Sequence, residues 1–151
     1  MIENVPFCGE FIGNVHHLFA RVYYADTDFT GVVYHARYLE FFERGRSEFI
    51  RLSRAQHQQP HDTEENEKLG WVVHKIAVNY HKSARFDDIL DIRTKITKVT
   101  GARIVMAQEI IRNDLLLVSA DVQLALVNSE GRPTRIPDEF IESWENTTMD
   151  K

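Results

Sequence analysis

Residues 21–46 read RVYYADTDFTGVVYHARYLEFFERGR, and the spacing of the apolar residues changes within this stretch. From Leu18 to Tyr24 apolar residues alternate along the chain, which predicts a strand. Residues 25–33 contain two aspartates, two threonines and a glycine, a composition typical of a turn. A strand, a turn and then an element of different periodicity are therefore expected in immediate succession.

That third element is predicted to be one long amphipathic helix, from about His35 to Leu52. Its apolar residues recur every three or four positions, which places them on one face of a helix. They are Tyr38, Leu39, Phe42, Phe49 and Leu52. Glu40, Arg44 and Glu48 follow one another at intervals of four on another face, where opposite charges stabilise a helix.

The rest of the chain alternates in polarity again and predicts four further strands, at residues 71–82, 89–99, 103–112 and 115–127. Thr100-Gly101 and Asn113-Asp114 are turn-forming pairs, and links this short join only antiparallel neighbours. Residues 53–68 are predicted to form a polar loop with a short helix from about Asp62, and residues 138–145 a short terminal helix. The predicted class is α+β, a curved antiparallel sheet wrapped around the long helix, because no other large apolar helix can cover the sheet.

Length, charge and cysteine content limit the classes of protein to which the chain can belong. Its 151 residues predict a single domain, residues 1–151, in which residues 1–17 form an N-terminal extension. The net charge of −5 disfavours binding to nucleic acid, because phosphate backbones are repelled on average. One cysteine, no signal peptide and no apolar run of membrane-spanning length predict a cytoplasmic location and no integral membrane segment.

The turn before the long helix has the residues that thioester hydrolysis requires. Asp28 supplies a carboxylate that can attack the carbonyl carbon or activate water. The first N–H groups of a helix lack acceptors within the helix, so those of residues 33–35 can stabilise a developing oxyanion. Gly31 lies between the two features and gives the backbone freedom to turn.

The same segment resembles the signature of the 4-hydroxybenzoyl-CoA thioesterase family, whose members have the hotdog fold. Within that family it is most similar to the bacterial acyl-CoA thioesterase subgroup found beside the Tol-Pal envelope system. The resemblance covers about residues 18–140 and departs from the subgroup at Phe29-Thr30, where small residues are common. The matching residues are Tyr24, Asp26, Thr27, Asp28, Gly31, Val32, Val33, Tyr34, His35, Tyr38 and Glu43.

The resemblance implies an acyl-CoA or acyl-carrier thioesterase that needs no cofactor. Asp28 corresponds to the catalytic carboxylate, and the backbone N–H of His35 to the group that polarises the thioester carbonyl. Tyr24 and the His35 side chain match positions that the subgroup associates with activity. Three residues near the turn, Gly31, Val33 and Tyr34, are expected to contact the substrate.

Less specific interpretations compete with these assignments. An aspartate before a helix is commonly a capping or turn residue, and this is the preferred interpretation of Asp26. Tyr24 is equally compatible with packing in the core. Lys82 and Arg85 are candidates for the phosphates of a nucleotide tail, although ordinary surface charge explains them too. The histidines show no spacing typical of metal ligands, so no metal site is predicted and solvated side chains are expected.

Two further activities fit the same fold: hydration or dehydration of an enoyl-CoA, and binding of an acyl carrier or partner without catalysis. Assembly is expected in any of these cases. The predicted sheet has open edges and a second face with apolar positions at Trp71, Val73 and Ala77. A homodimer that assembles into a homotetramer is therefore predicted.

Overall fold

A computed structural model describes residues 6–56 and 69–149 of the chain. It contains two helices, two short 3-10 turns and one six-stranded sheet. The strands are β1 (Glu10–Ile12), β2 (Val15–Arg21), β3 (Gly70–Tyr80), β4 (Ile89–Thr100), β5 (Arg103–Arg112) and β6 (Leu115–Val127). The helices are α1 (Arg37–Gln56) and α2 (Asp138–Met149), and the 3-10 turns span Pro6–Cys8 and Tyr24–Asp26.

The strands follow the order β1-β2-β4-β5-β6-β3, and every neighbouring pair is antiparallel. The two predicted tight turns join β4 to β5 and β5 to β6. Asn113 and Asp114 both have positive φ, at 48° and 66°, as a short hairpin turn requires. β3 pairs with β6 instead of β4, so residues 81–88 carry the chain back across one end of the sheet.

The core lies between α1 and one face of the sheet, which confirms the predicted α+β arrangement. Phe41, Phe42 and Phe49 of α1 are at most 1% exposed. The sheet covers them with alternate residues of its central strands, and the largest of these are Leu90, Ile92, Ile104, Met106 and Ile110. Burial of one face of the sheet and one stripe of the helix explains both sequence periodicities.

Several boundaries differ from the predicted ones. The first strand of the motif ends at Arg21 instead of Tyr24, because the chain turns into a 3-10 helix there. Residues 10–17 were predicted to be part of an extension, but β1 and the start of β2 lie within the sheet. The long helix continues to Gln56, and the terminal helix to Met149. The helix predicted from about Asp62 lies outside the described residues.

The prediction that the histidines are solvated was wrong for His16. This side chain is fully buried, its Nε2 lies 2.6 Å from the Cys8 carbonyl oxygen, and its ring packs against Phe11 and Phe49. Burial lowers the pKa of His16. Its neighbour His17 is bound instead to the Asp91 carboxylate, at 3.0 Å. Both contacts depend on the pairing of β2 with β1 and β4, which local sequence does not reveal.

One edge of the sheet is long and accessible. β3 spans eleven residues, has β6 on only one side, and exposes Val72 and Val73 by 45% and 47%. Separately, neither of the helices within the described ranges is long and apolar enough to cross a membrane.

Candidate active site

The segment between β2 and α1 is held in place by Asp26. Its Oδ2 accepts a hydrogen bond from the Tyr23 N–H at 2.8 Å, and its Oδ1 lies 3.4 Å from Nε of Arg37. Its carbonyl oxygen accepts from the Tyr34 N–H at 2.9 Å. The interpretation of Asp26 as a capping and turn residue is confirmed, since one carboxylate oxygen and the carbonyl oxygen accept hydrogen bonds from the local backbone.

Asp28 lies at the tip of a tight turn. Its N–H donates to the Val32 carbonyl at 2.9 Å and its own carbonyl accepts from the Gly31 N–H at 3.0 Å. Gly31 has a φ of +86°, a conformation that strongly favours glycine. The Asp28 side chain is partly exposed, and its Oδ1 accepts from the hydroxyl and the N–H of Thr30, at 2.5 and 2.8 Å.

These contacts favour the ionised form of Asp28. The Thr30 hydroxyl lowers the pKa of the Asp28 carboxyl most, and the Thr30 N–H and the nearby His35 lower it further, while partial burial opposes them. A carboxylate with a lowered pKa carries its negative charge at neutral pH. It is then available to accept a proton or to attack an electrophile.

Only one of the three amides predicted for the oxyanion site is available. The Val33 N–H donates to the Ala84 carbonyl at 2.8 Å, and the Tyr34 N–H to Asp26. In residues 6–56 and 69–149, no backbone carbonyl accepts from the His35 N–H. The Tyr80 hydroxyl donates to the His35 carbonyl oxygen at 2.9 Å, which fixes the adjoining peptide group from β3.

Asp28 and His35 line the same open cleft, at the start of α1. Its volume is about 270 Å³. Besides these two residues, the cleft is lined by Val32, Val33, Tyr38, Tyr80, His81, Lys82 and Ser83. The residues that carry a carboxylate, an amide with no backbone acceptor among the described residues, and three hydroxyls thus line one small volume.

Sequence reasoning missed the wall of this cleft that the end of β3 and residues 81–83 supply. His81 was interpreted as a solvated surface residue and is exposed, but it also lines the cleft, and its Nε2 lies 3.0 Å from the Ser119 hydroxyl. Tyr38 was interpreted as a core residue of the helix. Its hydroxyl accepts from the Ala84 N–H at 2.9 Å, and burial raises its pKa, so the phenol keeps its proton. No sequence signal links residues 80–84 to the turn, because the link is made by tertiary pairing alone.

Four of the predicted site residues do not line the cleft. Tyr24 is 76% exposed and stacks on Phe86, because it lies in the 3-10 turn and not on the apolar face of β2. Gly31 shapes the turn without reaching the cleft. The Tyr34 side chain points into solvent, 48% exposed, and Arg85 pairs through its backbone with Val32. Of the remaining predictions, Asp28, Val33, His35 and Lys82 are brought together.

Comparison with known proteins identifies the family. Residues 22–143 match the model of the thioesterase-like superfamily. The chain belongs to this superfamily. Its matched region runs from the end of β2 into α2 and therefore contains the turn, the long helix and the cleft.

Two curated relatives are similar in sequence to most of this chain. The acyl-CoA thioesterase YbgC of Haemophilus influenzae is 42% identical over 120 residues, which cover 79% of this chain and 86% of the relative. The acyl-CoA thioester hydrolase YbgC of Escherichia coli O6:H1 is 38% identical over 123 residues, covering 80% and 89%.

Solved structures agree with the predicted hotdog fold. A probable thioesterase from Bartonella henselae is 48% identical, with a TM-score of 0.71 over 83% of this chain and all of that one. A 4-hydroxybenzoyl CoA thioesterase bound to 4-hydroxybenzoyl CoA is 17% identical, with a TM-score of 0.75 over 87% and 99%. This second likeness is one of fold alone, and it confirms the fold class expected from the sequence.

Proposed function

We propose that this protein hydrolyses the thioester bond of acyl-CoA substrates, with Asp28 as its catalytic carboxylate and the His35 N–H as its oxyanion donor. The observation that carries the proposal is that an ionised Asp28 and an unoccupied His35 amide line one cleft. Those are the two groups that acyl transfer from sulfur to oxygen needs. The relatives named as acyl-CoA thioesterases support the same reaction class.

In the general-base form of the reaction, Asp28 takes a proton from water while the water oxygen attacks the thioester carbon. The carbonyl oxygen becomes an oxyanion and accepts a hydrogen bond from the His35 N–H. Collapse of the tetrahedral intermediate re-forms the carbonyl and breaks the carbon–sulfur bond. Asp28 then gives its proton to the departing thiolate, so the products are the carboxylic acid and the thiol of coenzyme A, and the carboxylate is regenerated.

In the nucleophilic form, an Asp28 oxygen attacks the thioester carbon itself and expels the thiolate. This leaves a mixed anhydride, which water then hydrolyses. A single turnover in water enriched in heavy oxygen separates the two forms. Label can enter the Asp28 carboxylate only if an anhydride is formed, whereas direct attack by water places all of it in the product acid.

The test of the assignment is Asp28→Asn, which keeps the size of the side chain and its ability to accept from Thr30 but removes the negative charge. Activity with at least one member of a panel of short, long and aromatic acyl-CoA substrates should fall by about 100- to 10,000-fold in kcat. Asp114→Asn is the matched control, because Asp114 lies in the distant turn between β5 and β6 and asparagine, like aspartate, readily adopts its positive φ. Circular dichroism and thermal melting should show an unchanged fold for both variants.

Full activity in Asp28→Asn would reject the role of this carboxylate. Hydration of an enoyl-CoA without thioester cleavage would reject hydrolysis in favour of a hydratase. Saturable binding of acyl-CoA with no turnover across the panel would identify a binding module instead.

The biological setting is part of the same proposal. We place the protein in the cytoplasm, within the subgroup found beside the Tol-Pal system, supported by its identity of 38–42% to the YbgC relatives. We also propose assembly into a homodimer and then a homotetramer. The long accessible edge of β3, with exposed Val72 and Val73, supports the first of these steps.

A further inference from the structure

Of the three amides at residues 33–35, only that of His35 remains without a backbone acceptor among the described residues. Oxyanion sites in acyl transfer commonly combine two donors. Each donor matters, because loss of one typically lowers kcat by about 100- to 1,000-fold. A second donor has to come from another residue that lines the cleft.

The Tyr38 hydroxyl has only one of its hydrogen bonds made. Tyr38 lines the cleft, yet the residue is only 3% exposed. Its oxygen accepts from the Ala84 N–H at 2.9 Å, whereas in the part of the chain that the structure describes no acceptor is found for its proton. A buried donor without an acceptor costs free energy. Such a donor points to a partner that arrives with the ligand.

The position of this hydroxyl is fixed beside the reactive turn. Ala84 donates to it through its N–H and accepts from the Val33 N–H through its carbonyl, at 2.8 Å. Tyr38 follows His35 by three positions, so the two residues lie on the same side of the helix start. The Tyr38 ring also packs near that of Tyr80, whose hydroxyl holds the His35 carbonyl oxygen. The phenol is thus anchored next to the peptide that carries the available amide.

The Tyr38 phenol stays protonated at neutral pH. Burial raises its pKa most, the Ala84 N–H and the Arg112 guanidinium lower it, and Tyr80 and Asp88 raise it. Arg112 and Asp88 are paired with each other at 2.7 Å, so their charges largely cancel. A neutral phenol donates a hydrogen bond and keeps its proton. These properties suit a group that stabilises an oxyanion and do not suit a general base.

We propose that the Tyr38 hydroxyl is the second oxyanion donor, alongside the His35 N–H. When the thioester carbon is attacked, the charge that develops on the carbonyl oxygen is shared between the two donors. The carbonyl re-forms as the carbon–sulfur bond breaks, and Tyr38 keeps its proton throughout. This inference rests on the proposed function and deepens it, because it makes the phenol a catalytic residue that touches the reacting oxygen.

Monofluoro- and difluorotyrosine at position 38 test this role without removing the phenol oxygen. The oxygen still accepts from the Ala84 N–H, but fluorine makes the hydroxyl more acidic. Activity requires the neutral phenol and is lost as pH rises through its pKa. The base limb of the kcat/KM profile should therefore move to lower pH in the order of increasing acidity. The same replacements at Tyr23, which is 64% exposed and does not line the cleft, are the matched control and should leave the limb in place.

Tyr38→Phe removes the donor itself and should lower kcat by about 100- to 1,000-fold with little change in KM. A ketone analogue of acyl-CoA, in which a methylene group replaces the sulfur atom, gives a measure that does not depend on turnover. Infrared difference spectra should show a higher carbonyl stretching frequency for the bound analogue in Tyr38→Phe than in the unaltered protein. The reason is that one hydrogen bond to the carbonyl oxygen is lost.

A base limb that does not follow the acidity of the phenol, or an unchanged carbonyl frequency in Tyr38→Phe, would overturn the inference. A purely structural role predicts no such movement of the limb, since the ionised phenol still accepts from the Ala84 N–H. If the unaltered protein hydrolyses no thioester but the frequency rises in Tyr38→Phe, the proposed function fails and the donor is upheld. If neither hydrolysis nor a change in frequency is found, both fail.

Discussion

Thr30 lowers the pKa of Asp28 through two hydrogen bonds, one from its hydroxyl and one from its N–H. Both stabilise the ionised form of the carboxylate. The hydroxyl of Thr30 contributes most to the lowered pKa of Asp28.

Thr30→Ala should move the acid limb of the kcat/KM profile to higher pH. Removing the hydroxyl raises the pKa of Asp28 towards the usual value of a carboxyl, so the active, ionised form is lost at a less acidic pH as pH falls. Thr30→Ser is the control, because it keeps the hydroxyl and should leave the limb in place. An unmoved limb in Thr30→Ala would show that another group controls it.

Tyr80, in β3, contacts the residue that carries the proposed oxyanion donor. Its hydroxyl binds the His35 carbonyl oxygen, and its ring lies near those of His35 and Tyr38. Holding this peptide restricts the rotation of His35, and so the direction of its N–H. We therefore expect Tyr80 to position His35.

Tyr80→Phe should lower kcat by about 3- to 10-fold and change KM little, because the net contribution of one neutral hydrogen bond is about 0.5–1.5 kcal/mol. Steady-state kinetics with acyl-CoA measure the changes in kcat and in KM separately. The carbonyl carbon resonance of His35 should shift in the same variant, since its hydrogen bond is lost. A change confined to KM would contradict a role in orienting the amide.

At the scale of one element, α1 approaches the sheet closely at Gly45. A Cβ at this position would lie 2.8 Å from Cγ2 of Ile92 and 2.9 Å from Oγ1 of Thr94. Close approach also allows a buried polar contact, in which Nη1 of Arg46 donates to Oε1 of Gln108 at 3.0 Å. The glycine is thus required by packing, although it is unfavourable for the helix itself.

Gly45→Ala should destabilise the fold in spite of the better helix propensity of alanine. Overpacking costs about 1–3 kcal/mol, and the propensity gain of about 1 kcal/mol offsets only part of it. Urea unfolding should show a lower midpoint. Ser47→Ala, at an exposed position on the same helix, should leave the midpoint unchanged or raise it. A more stable Gly45→Ala would show that the helix can move away from the sheet.

At the scale of the whole molecule, the two edges of the sheet are unequal. β1 ends one side as a strand of three residues, whereas β3 ends the other with eleven. A short edge strand offers few unpaired backbone groups, and a long one offers many. The proposed dimer therefore forms through β3 of two copies.

Sedimentation velocity at micromolar concentration should show a dimer or a larger assembly. Replacing both Val72 and Val73 by lysine should shift the protein towards the monomer, because charges are then placed along the joined edge. Ile12→Lys on β1, at a position 59% exposed, should not alter the sedimentation coefficient. A monomeric unaltered protein would refute assembly through this edge.

The sequence by itself determined the long helix, the strands that follow it and the location of the turn that contains Asp28. Apolar periodicity is a local property, so it placed α1 and β4 to β6 within a few residues of their observed bounds. The turn that contains Asp26, Asp28 and Gly31, followed directly by a helix, was also predicted from the sequence. Turns and helix starts depend on neighbouring residues.

Only the tertiary structure decided which residues meet at the site. β3 pairs with β6 and not with β4, and this topology brings Tyr80 and residues 81–83 to the turn from more than forty positions away in sequence. The connection that follows β3 occupies the Val33 amide through Ala84, whereas the His35 amide has no backbone acceptor within residues 6–56 and 69–149. Long-range pairing depends on how whole faces pack together, and no local pattern of residues specifies it.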